Sequence, residues 1–353
     1  MTIYPVIILG GSGYVAGEML RLVAGHPALQ LAGAVSTSLA GQPIAATFGH
    51  LRTVYPSEAF IDFDAAESLL ARSAHNILLS AAPHGASAAL INRMLEVANS
   101  AGTKLTVVDA SADFRFRDAD SFAAVYGTQH PAPDLLDQFV CAVPEHAAQT
   151  NTPHAAHPGC FATTMLLGIV PLLANDLAEA SICVSAVTGS TGAGRKPRDT
   201  THHPERQSNM FAYQVLKHRH APEVEALAKA ASGTGLELHF VPHSGPFARG
   251  IHATIFAKKR SSITTKAQVI EALSSYYTDA KLVNVLDSPP RMKDVAGSCS
   301  AALSADVDGD TIVVTSVLDN LLKGASGGCV QWLNRLLGLP ETLGITNPSI
   351  GWL

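Results

Sequence analysis

The sequence predicts a two-domain α/β protein: a doubly wound parallel sheet, then a second α/β domain built on a mixed or antiparallel sheet. Three observations carry this. The chain has 353 residues, about twice the length typical of one domain. Its first half alternates short, continuous apolar runs with helix-period segments, the pattern of strands buried on both faces. Its second half changes to runs in which apolar and polar residues alternate. Hydrophobic residues make up 47% of the chain and charged residues 15%, with a mean hydropathy of +0.20. That is enough apolar surface for a large core and too much for a disordered chain.

In order along the chain, the apolar run Val6–Gly10 leads through a glycine-rich turn into the helix-period segment GEMLRLVAGH. LQLAGAVS, HNILLSAA and LTVVDAS follow as further strands. Between the last two lies SAALINRMLEVANSAG, a helix whose Ala101-Gly102 reads as a stop. Right-handed crossovers between such parallel strands give a Rossmann-type domain. Near residue 156 the rhythm changes. ICVSAVTGS, LELHFVP, GIHATIFAKK and SAALSADVDGDTIVVTSVL read as strands, the last folded at an Asp308-Gly309 hairpin turn. GCVQWLNRLLGL is helical again and needs a surface for its apolar stripe, so it is expected to pack back onto the first domain.

Composition excludes several function classes. A net charge of −5 and pI near 6.3 leave no basic footprint for nucleic acid. No apolar run approaches the ~18 residues of a spanning helix, and MTIYPVIILGG lacks the basic start of a signal peptide. Five scattered cysteines do not form a disulfide framework. A soluble cytoplasmic protein without nucleic-acid or membrane partners is expected.

Chemistry concentrates in a few segments. Gly10-Gly11-Ser12-Gly13-Tyr14-Val15-Ala16-Gly17 follows the first strand and opens the first helix. Small residues at 10, 13 and 16 permit a tight turn and close approach of a phosphate to the backbone. The spacing is GxxGxxA rather than GxGxxG, and an ordinary strand-to-helix turn has the same composition. Cys160, in HPGCFATT, falls at a helix N-terminus, where the partial positive charge stabilises a thiolate and backbone N–H groups can meet an oxyanion. Cys183 (strand-like) and Cys329 (helix-like) suit buried structural positions, and Cys141 stays open. His218-Arg219-His220-Ala221-Pro222-Glu223 sets two imidazoles around a fixed charge just before a helix, with Pro222 near its first position. Acid/base work on an anion and a solvated loop both fit that pattern, and His202-His203 reads as a loop. Arg115 after the LTVVD strand and Arg249 in FARGIH could each fork onto a phosphate or carboxylate, or stand on the surface. No HExxH or paired CxxC supports a metal site.

Together the segments GGSGYVAGEMLRL, AAPHGAS, DASADFR, HPGCFATT, TGSTGAGRK, HRHAPEVE and DNLLKGASGG resemble the N-acetyl-gamma-glutamyl-phosphate reductase family, within the aspartate-semialdehyde dehydrogenase-like superfamily. The resemblance runs nearly the whole length. It implies a Rossmann domain over 1–156 that binds NADP and is completed by a C-terminal helix over 325–353. It also implies a catalytic and dimerisation domain over 157–324, and assembly as a homodimer or homotetramer. The implied reaction is NADPH-dependent reduction of a small acyl phosphate to an aldehyde. By motif, Cys160 becomes the nucleophile and His218 the acid/base, with His220, Glu223, Arg115 and Arg249 around the substrate. Gly10, Ser12, Gly13, Tyr14, Val15, Ser36, Thr37, Pro83, Gly192 and Asn320 become cofactor residues. Phe161 and Ala162 depart from the family's Tyr-Pro after the cysteine, which bears on loop stiffness more than on chemistry.

The second strand ends in Ser36-Thr37-Ser38, without the carboxylate that NAD-specific domains offer to the ribose, and hydroxyls there favour NADP. The same three residues are also plain turn composition. Sister reductases acting on N-acetyl-aminoadipyl phosphate or aspartyl phosphate remain alternatives, since one methylene is worth only about 1–3 kcal/mol. A non-catalytic NADP-binding regulator is opposed by the intact cysteine and histidine segments.

Overall fold

The computed structural model describes residues 2–147, 151–261 and 264–352, which divide into two compact units. The first comprises Met1–Cys141, Thr150–His157 and Ser326–Ile345, and the second Ala142–Gln149, Pro158–Ala325 and Thr346–Leu353.

In the first unit, β1 (Tyr4–Leu9), β2 (Leu29–Val35), β3 (Phe60–Ile61), β4 (His75–Ser80), β5 (Lys104–Asp109), β6 (Phe139–Cys141) and β7 (His154–Ala156) form one sheet. Its order is β3-β2-β1-β4-β5-β7-β6, with every ladder parallel. Parallel neighbours require crossovers. The helices of this stretch are α1 (Tyr14–Gly25), α2 (Ile44–Thr47), α3 (Phe63–Leu70), α4 (Ser87–Ser100) and α5 (Ala119–Tyr126). Val6 to Leu9 and Ile77 to Leu79 have no exposed surface, which is why these strands read as unbroken apolar runs. α4 stops where Gly102 takes a left-handed φ of +65°. The strand order reverses between β1 and β4, so Leu9 and Ser80 flank the switch point at which such sheets take ligands.

The second unit holds α6 (Cys160–Ala174), β8 (Ala178–Thr188), α7 (His203–Arg206), β9 (Phe211–Ala212), α8 (His220–Ser232), β10 (Glu237–Ser244), β11 (Ile251–Lys259), α9 (Lys266–Tyr276), β12 (Val283–Val285), β13 (Ala301–Asp308) and β14 (Thr311–Leu318). The sheet order is β12-β13-β14-β11-β8-β10-β9. It is mixed: β8/β10 and β12/β13 are parallel and the other ladders antiparallel. α6, α8 and α9 pack on the sheet. α6 lies close because Gly168 has no Cβ, which would sit 2.4 Å from Ile255 Cδ1. Ile251 pairs with both Thr188 and Leu318, and Ser244 pairs with Thr188. The carboxyl ends of β8, β10 and β14 therefore meet the start of β11 along one sheet edge.

Past β14 the chain re-enters the first unit as α10 (Gly327–Leu336), packed on α1, β5 and β7. Trp332 and Cys329 are fully buried there. Several expectations need correction. The tail from Thr346 joins the second unit instead, where Ser349 Oγ donates to the Ala296 carbonyl at 2.6 Å. Residues 142–149 also belong to the second unit, where His146 Nε2 hydrogen-bonds Tyr277 Oη at 2.8 Å. The hairpin turn sits one residue later than expected, at Gly309-Asp310, because Asp308 still pairs with Thr311. Cys183 lies on a strand but is exposed rather than buried, since β8 turns alternate residues away from the helices.

Candidate active site

Cys160 is the first residue of α6, a helix whose cap residue Gly159 offers no side chain to the N-terminal N–H groups. A helix N-terminus of this kind stabilises negative charge. The turn is braced from below: Glu223 Oε1, fully buried, accepts the Gly159 N–H at 2.7 Å. Thr163 N–H returns to the Gly159 carbonyl at 2.7 Å, and Thr164 Oγ1 donates to the Cys160 carbonyl at 2.8 Å. Gly324 closes the other side. A Cβ there would lie 2.8 Å from Cys160 Cβ, so only glycine fits.

His218 and His220 stand together, with ring centroids 4.7 Å apart. Phe161, the residue after the cysteine, packs edge-on against His218 at 5.6 Å and His220 at 6.2 Å. Tyr213 lies 5.7 Å and Phe240 5.4 Å from His218. The His220 backbone N–H donates to His218 Nδ1 at 3.2 Å, which leaves the proton of a neutral ring on Nε2. Burial, aided by the Arg219 charge, pushes His218 down to about 4. A ring lowered in this way stands near pH 7 as a neutral N–H donor. His220 opens α8, and Pro222 is its third residue rather than its first.

Four residues expected at the substrate or cofactor have other bonds. Arg115 is buried and donates from Nε to the His157 carbonyl at 3.2 Å and from Nη2 to the Ala110 carbonyl at 2.9 Å. Arg249 forks onto Asp319 at 2.9 and 3.1 Å. Glu223 braces Gly159, as above. Asn320 Oδ1 accepts the Gly250 N–H at 2.8 Å and its Nδ2 donates to Thr191 Oγ1 at 3.0 Å, with Gly192 beside it. The His202-His203 pair, expected in a loop, stands at the start of the short helix α7.

In the first unit, Gly10 has φ +70°, and a Cβ there would strike the Ala81 carbonyl at 2.4 Å. The glycine thus brings the β1 turn onto Ala81, just past the end of β4 and two residues before the exposed Pro83. Gly13 caps α1 without a side-chain bond, and Ser12, Tyr14 and Val15 surround the helix start. A backbone cradle of this kind, at a switch point, fits the pyrophosphate of a dinucleotide. Ser36 is buried and donates to Ser12 Oγ at 3.3 Å, while its N–H is spent on the Ile61 carbonyl; Thr37 is exposed. The Ser36 N–H is therefore not free to meet a cofactor.

Sequence reasoning missed the buried carboxylates that fix this unit's loops. Asp113 accepts N–H bonds from Gly85 at 2.7 Å and Ala88 at 3.0 Å, securing the segment after Pro83. Asp109 accepts from Ser111 and Ser87, and burial pushes it up to about 6. The His157 ring nests over Gly328, where a Cβ would come within 2.0 Å of Cε1. DASADFR and KGASGG contained these residues, but no spacing rule pairs them. Among the described residues no group of three ligating side chains could hold a metal.

Two family models match the chain: semialdehyde dehydrogenase, NAD binding domain, over residues 5–152, and semialdehyde dehydrogenase, dimerisation domain, over residues 160–320. The chain is 38% identical over 351 residues to the N-acetyl-gamma-glutamyl-phosphate reductase of Pseudomonas fluorescens (strain Pf0-1), covering 97% of this chain and 98% of that protein. It is 39% identical to the enzyme of that name from Ectopseudomonas mendocina, with the same coverage. Among solved structures it resembles aspartate semialdehyde dehydrogenase II of Vibrio cholerae, with a TM-score of 0.68 at 17% identity over 96% of this chain and 99% of that one. Aspartate semialdehyde dehydrogenase of Candida albicans, solved with NADP, gives 0.64 at 12% identity over 97% and 100%. At these identities the structural likeness speaks for the fold.

Proposed function

The chain belongs to the N-acetyl-gamma-glutamyl-phosphate reductase family, and we propose that it performs that family's reaction through a thioester on Cys160. The reaction is NADPH-dependent reduction of N-acetyl-gamma-glutamyl phosphate to N-acetyl-glutamate semialdehyde and phosphate, a step of arginine biosynthesis. The observation that carries the reading is Cys160 as the first residue of a fifteen-residue helix, beside a paired His218 and His220.

Cys160 Sγ attacks the acyl carbon as thiolate, the S–C bond forms, and the C–O bond to phosphate breaks with its electron pair leaving on phosphate. Phosphate is a good leaving group, so a soft nucleophile at a helix N-terminus suffices. NADPH, held by the Gly10–Val15 loop, supplies the hydride when bound. Negative charge on the carbonyl oxygen of the Cys160-bound acyl group is met by the His218 Nε2–H. The Nε2–H keeps its proton and donates a hydrogen bond to that oxygen, whose electron pair re-forms the carbonyl as the S–C bond breaks, freeing the aldehyde and restoring the thiolate. A neutral imidazole suits this role, because it meets the developing charge with an N–H donor and need not lose its proton. His220 supports it by fixing the tautomer through its backbone N–H.

The test is a coupled assay in the reverse direction. N-acetyl-glutamate, N-acetyl-aminoadipate and aspartate semialdehydes are each offered with phosphate and NADP. The highest kcat/KM with the first supports this reading; a higher value with either of the others replaces it with the sister activity. We also infer a homodimer or homotetramer in the cytoplasm. Support comes from the dimerisation-domain match and from Cys183 and Phe256, exposed on neighbouring strands of the second sheet. Among the described residues no helix is long and apolar enough to cross a membrane.

A further inference from the structure

We propose that Arg206 is a receptor for an oxyanion of the substrate, either its carboxylate or its phosphoryl group, an inference that rests on the function proposed above. The connection from β8 to α8 is exposed from His202 to Met210 except at one residue, Arg206, which turns inward. All three of its guanidinium nitrogens are shut off from solvent and none has a hydrogen-bond partner in the structure. An arginine on such a segment could reach water at no cost. Turned inward and unpaired, it leaves a positive charge desolvated without compensation, which costs free energy. An anion that the isolated chain does not supply would remove that cost, and the planar fork matches a carboxylate or phosphoryl group.

Two further observations point to the substrate as the source of that anion. Residues 195–219 carry six Lys or Arg against two Asp or Glu, in a chain whose net charge is −5. A local excess of that sign attracts a multiply charged small anion. The same segment also leads directly into the proposed site. Five residues beyond Arg206, β9 pairs with the end of β10, Phe211 opposite Ser244 and Ala212 opposite His243. Tyr213 then lies against His218. Arg206 is thus tethered, through five residues, to the sheet edge where β8, β10 and β14 end and β11 begins. Ser208, Gln214 and Leu216 hold left-handed φ values of 55°, 46° and 57°, a conformation non-glycine residues adopt at a cost.

The reverse reaction separates the two anions, because the semialdehyde carries the carboxylate and phosphate is added free. Native protein, Arg206→Gln and Arg206→Lys would be assayed with each varied in turn. The expected result for Arg206→Gln is a KM raised about 10- to 100-fold for one of the two. KM for NADP and the oligomeric state should be unchanged, with partial recovery in Arg206→Lys. A rise for the semialdehyde identifies the carboxylate; a rise for phosphate identifies the phosphoryl group. In parallel, inorganic phosphate or N-acetyl-glutamate should raise the Tm of the native protein and not that of Arg206→Gln. Unchanged KM values overturn the proposal. So does dissociation of the oligomer on mutation, which would make Arg206 a subunit contact. Should Arg206→Gln not fold, the decision falls to Arg206→Lys: unchanged KM values for both anions overturn the proposal, and a raised one sustains it. Inactivity of the native protein toward the semialdehyde would instead refute the functional reading itself.

Discussion

The turn that follows β1 and the turn that opens α6 are both helix N-termini, yet they are made from opposite materials. Around Gly10 the chain removes side chains, so that backbone meets backbone beside a helix start that no side chain caps. Around Cys160 it assembles them: a thiol at the first helical position, two imidazoles, a phenyl ring and a buried carboxylate under the turn. The first arrangement suits a large, rigid anion recognised by shape and dipole. The second suits bond making, where each atom has a separate task. The lesson is that a helix N-terminus becomes a binding site or a reactive site according to what stands beside it.

The comparison predicts how each turn breaks. The largest effect belongs to Cys160→Ser, which should abolish turnover while NADP binding, read by fluorescence titration, is retained. Full activity would erase the distinction between the two turns. His218→Asn should lower kcat by roughly 10²–10⁴ and spare the KM for NADP. If His220→Asn proves far more damaging, the roles of the pair are reversed. Gly10→Ala should do the converse, since a Cβ at φ +70° meets Ala81 and costs about 1–3 kcal/mol. NADP affinity should fall, while iodoacetamide still labels Cys160 first among the five cysteines.

Acid should divide the units. Burial holds His146, His154 and His218 at about 4 in the native state, against about 6.5 when unfolded. The unfolded chain takes up these protons first, so stability is lost as pH falls from about 6.5 toward 4, on the order of 1–3 kcal/mol per histidine. Asp109, raised to about 6, works in the opposite sense, because the native state protonates it before the unfolded chain does. In the first unit His26 and His75 are also lowered and add to His154, with Asp109 opposing them, whereas in the second His146, His218 and His252 all act in one direction. Hydrogen exchange at pH 7 and pH 5 should therefore reveal the second unit opening first on acidification. Uniform loss of protection would contradict this. The smallest effect is expected from Ser36→Asp, which should shift the NADPH-to-NADH preference about tenfold toward NADH by repelling the extra phosphate. Equal use of both cofactors by the native protein would remove Ser36 from the recognition of that phosphate.

By itself the sequence determined whatever depends on local pattern. Continuous apolar runs such as Val6–Leu9 marked the parallel sheet, because burial on both faces leaves no polar positions. Alternation in β11 and β14 marked the second sheet for the opposite reason. Gly10 and Cys160 were legible because a tight turn and a helix start are short-range events with characteristic residues. Tertiary structure alone decided which distant residues meet. Glu223 lies 64 positions from the Gly159 N–H it accepts, Gly324 stands against Cys160, and Arg249 is consumed by Asp319. It also set the His218 charge state, since burial by Phe161, Tyr213 and Phe240 cannot be read from HRHAPE. Arg206 belongs to the same class: along the chain it is one more polar residue in an exposed connection, and only folding turns it inward. Hydrogen-bond partners and desolvation are properties of three-dimensional neighbourhoods, and a one-dimensional pattern constrains them only where neighbours in space are also neighbours in sequence.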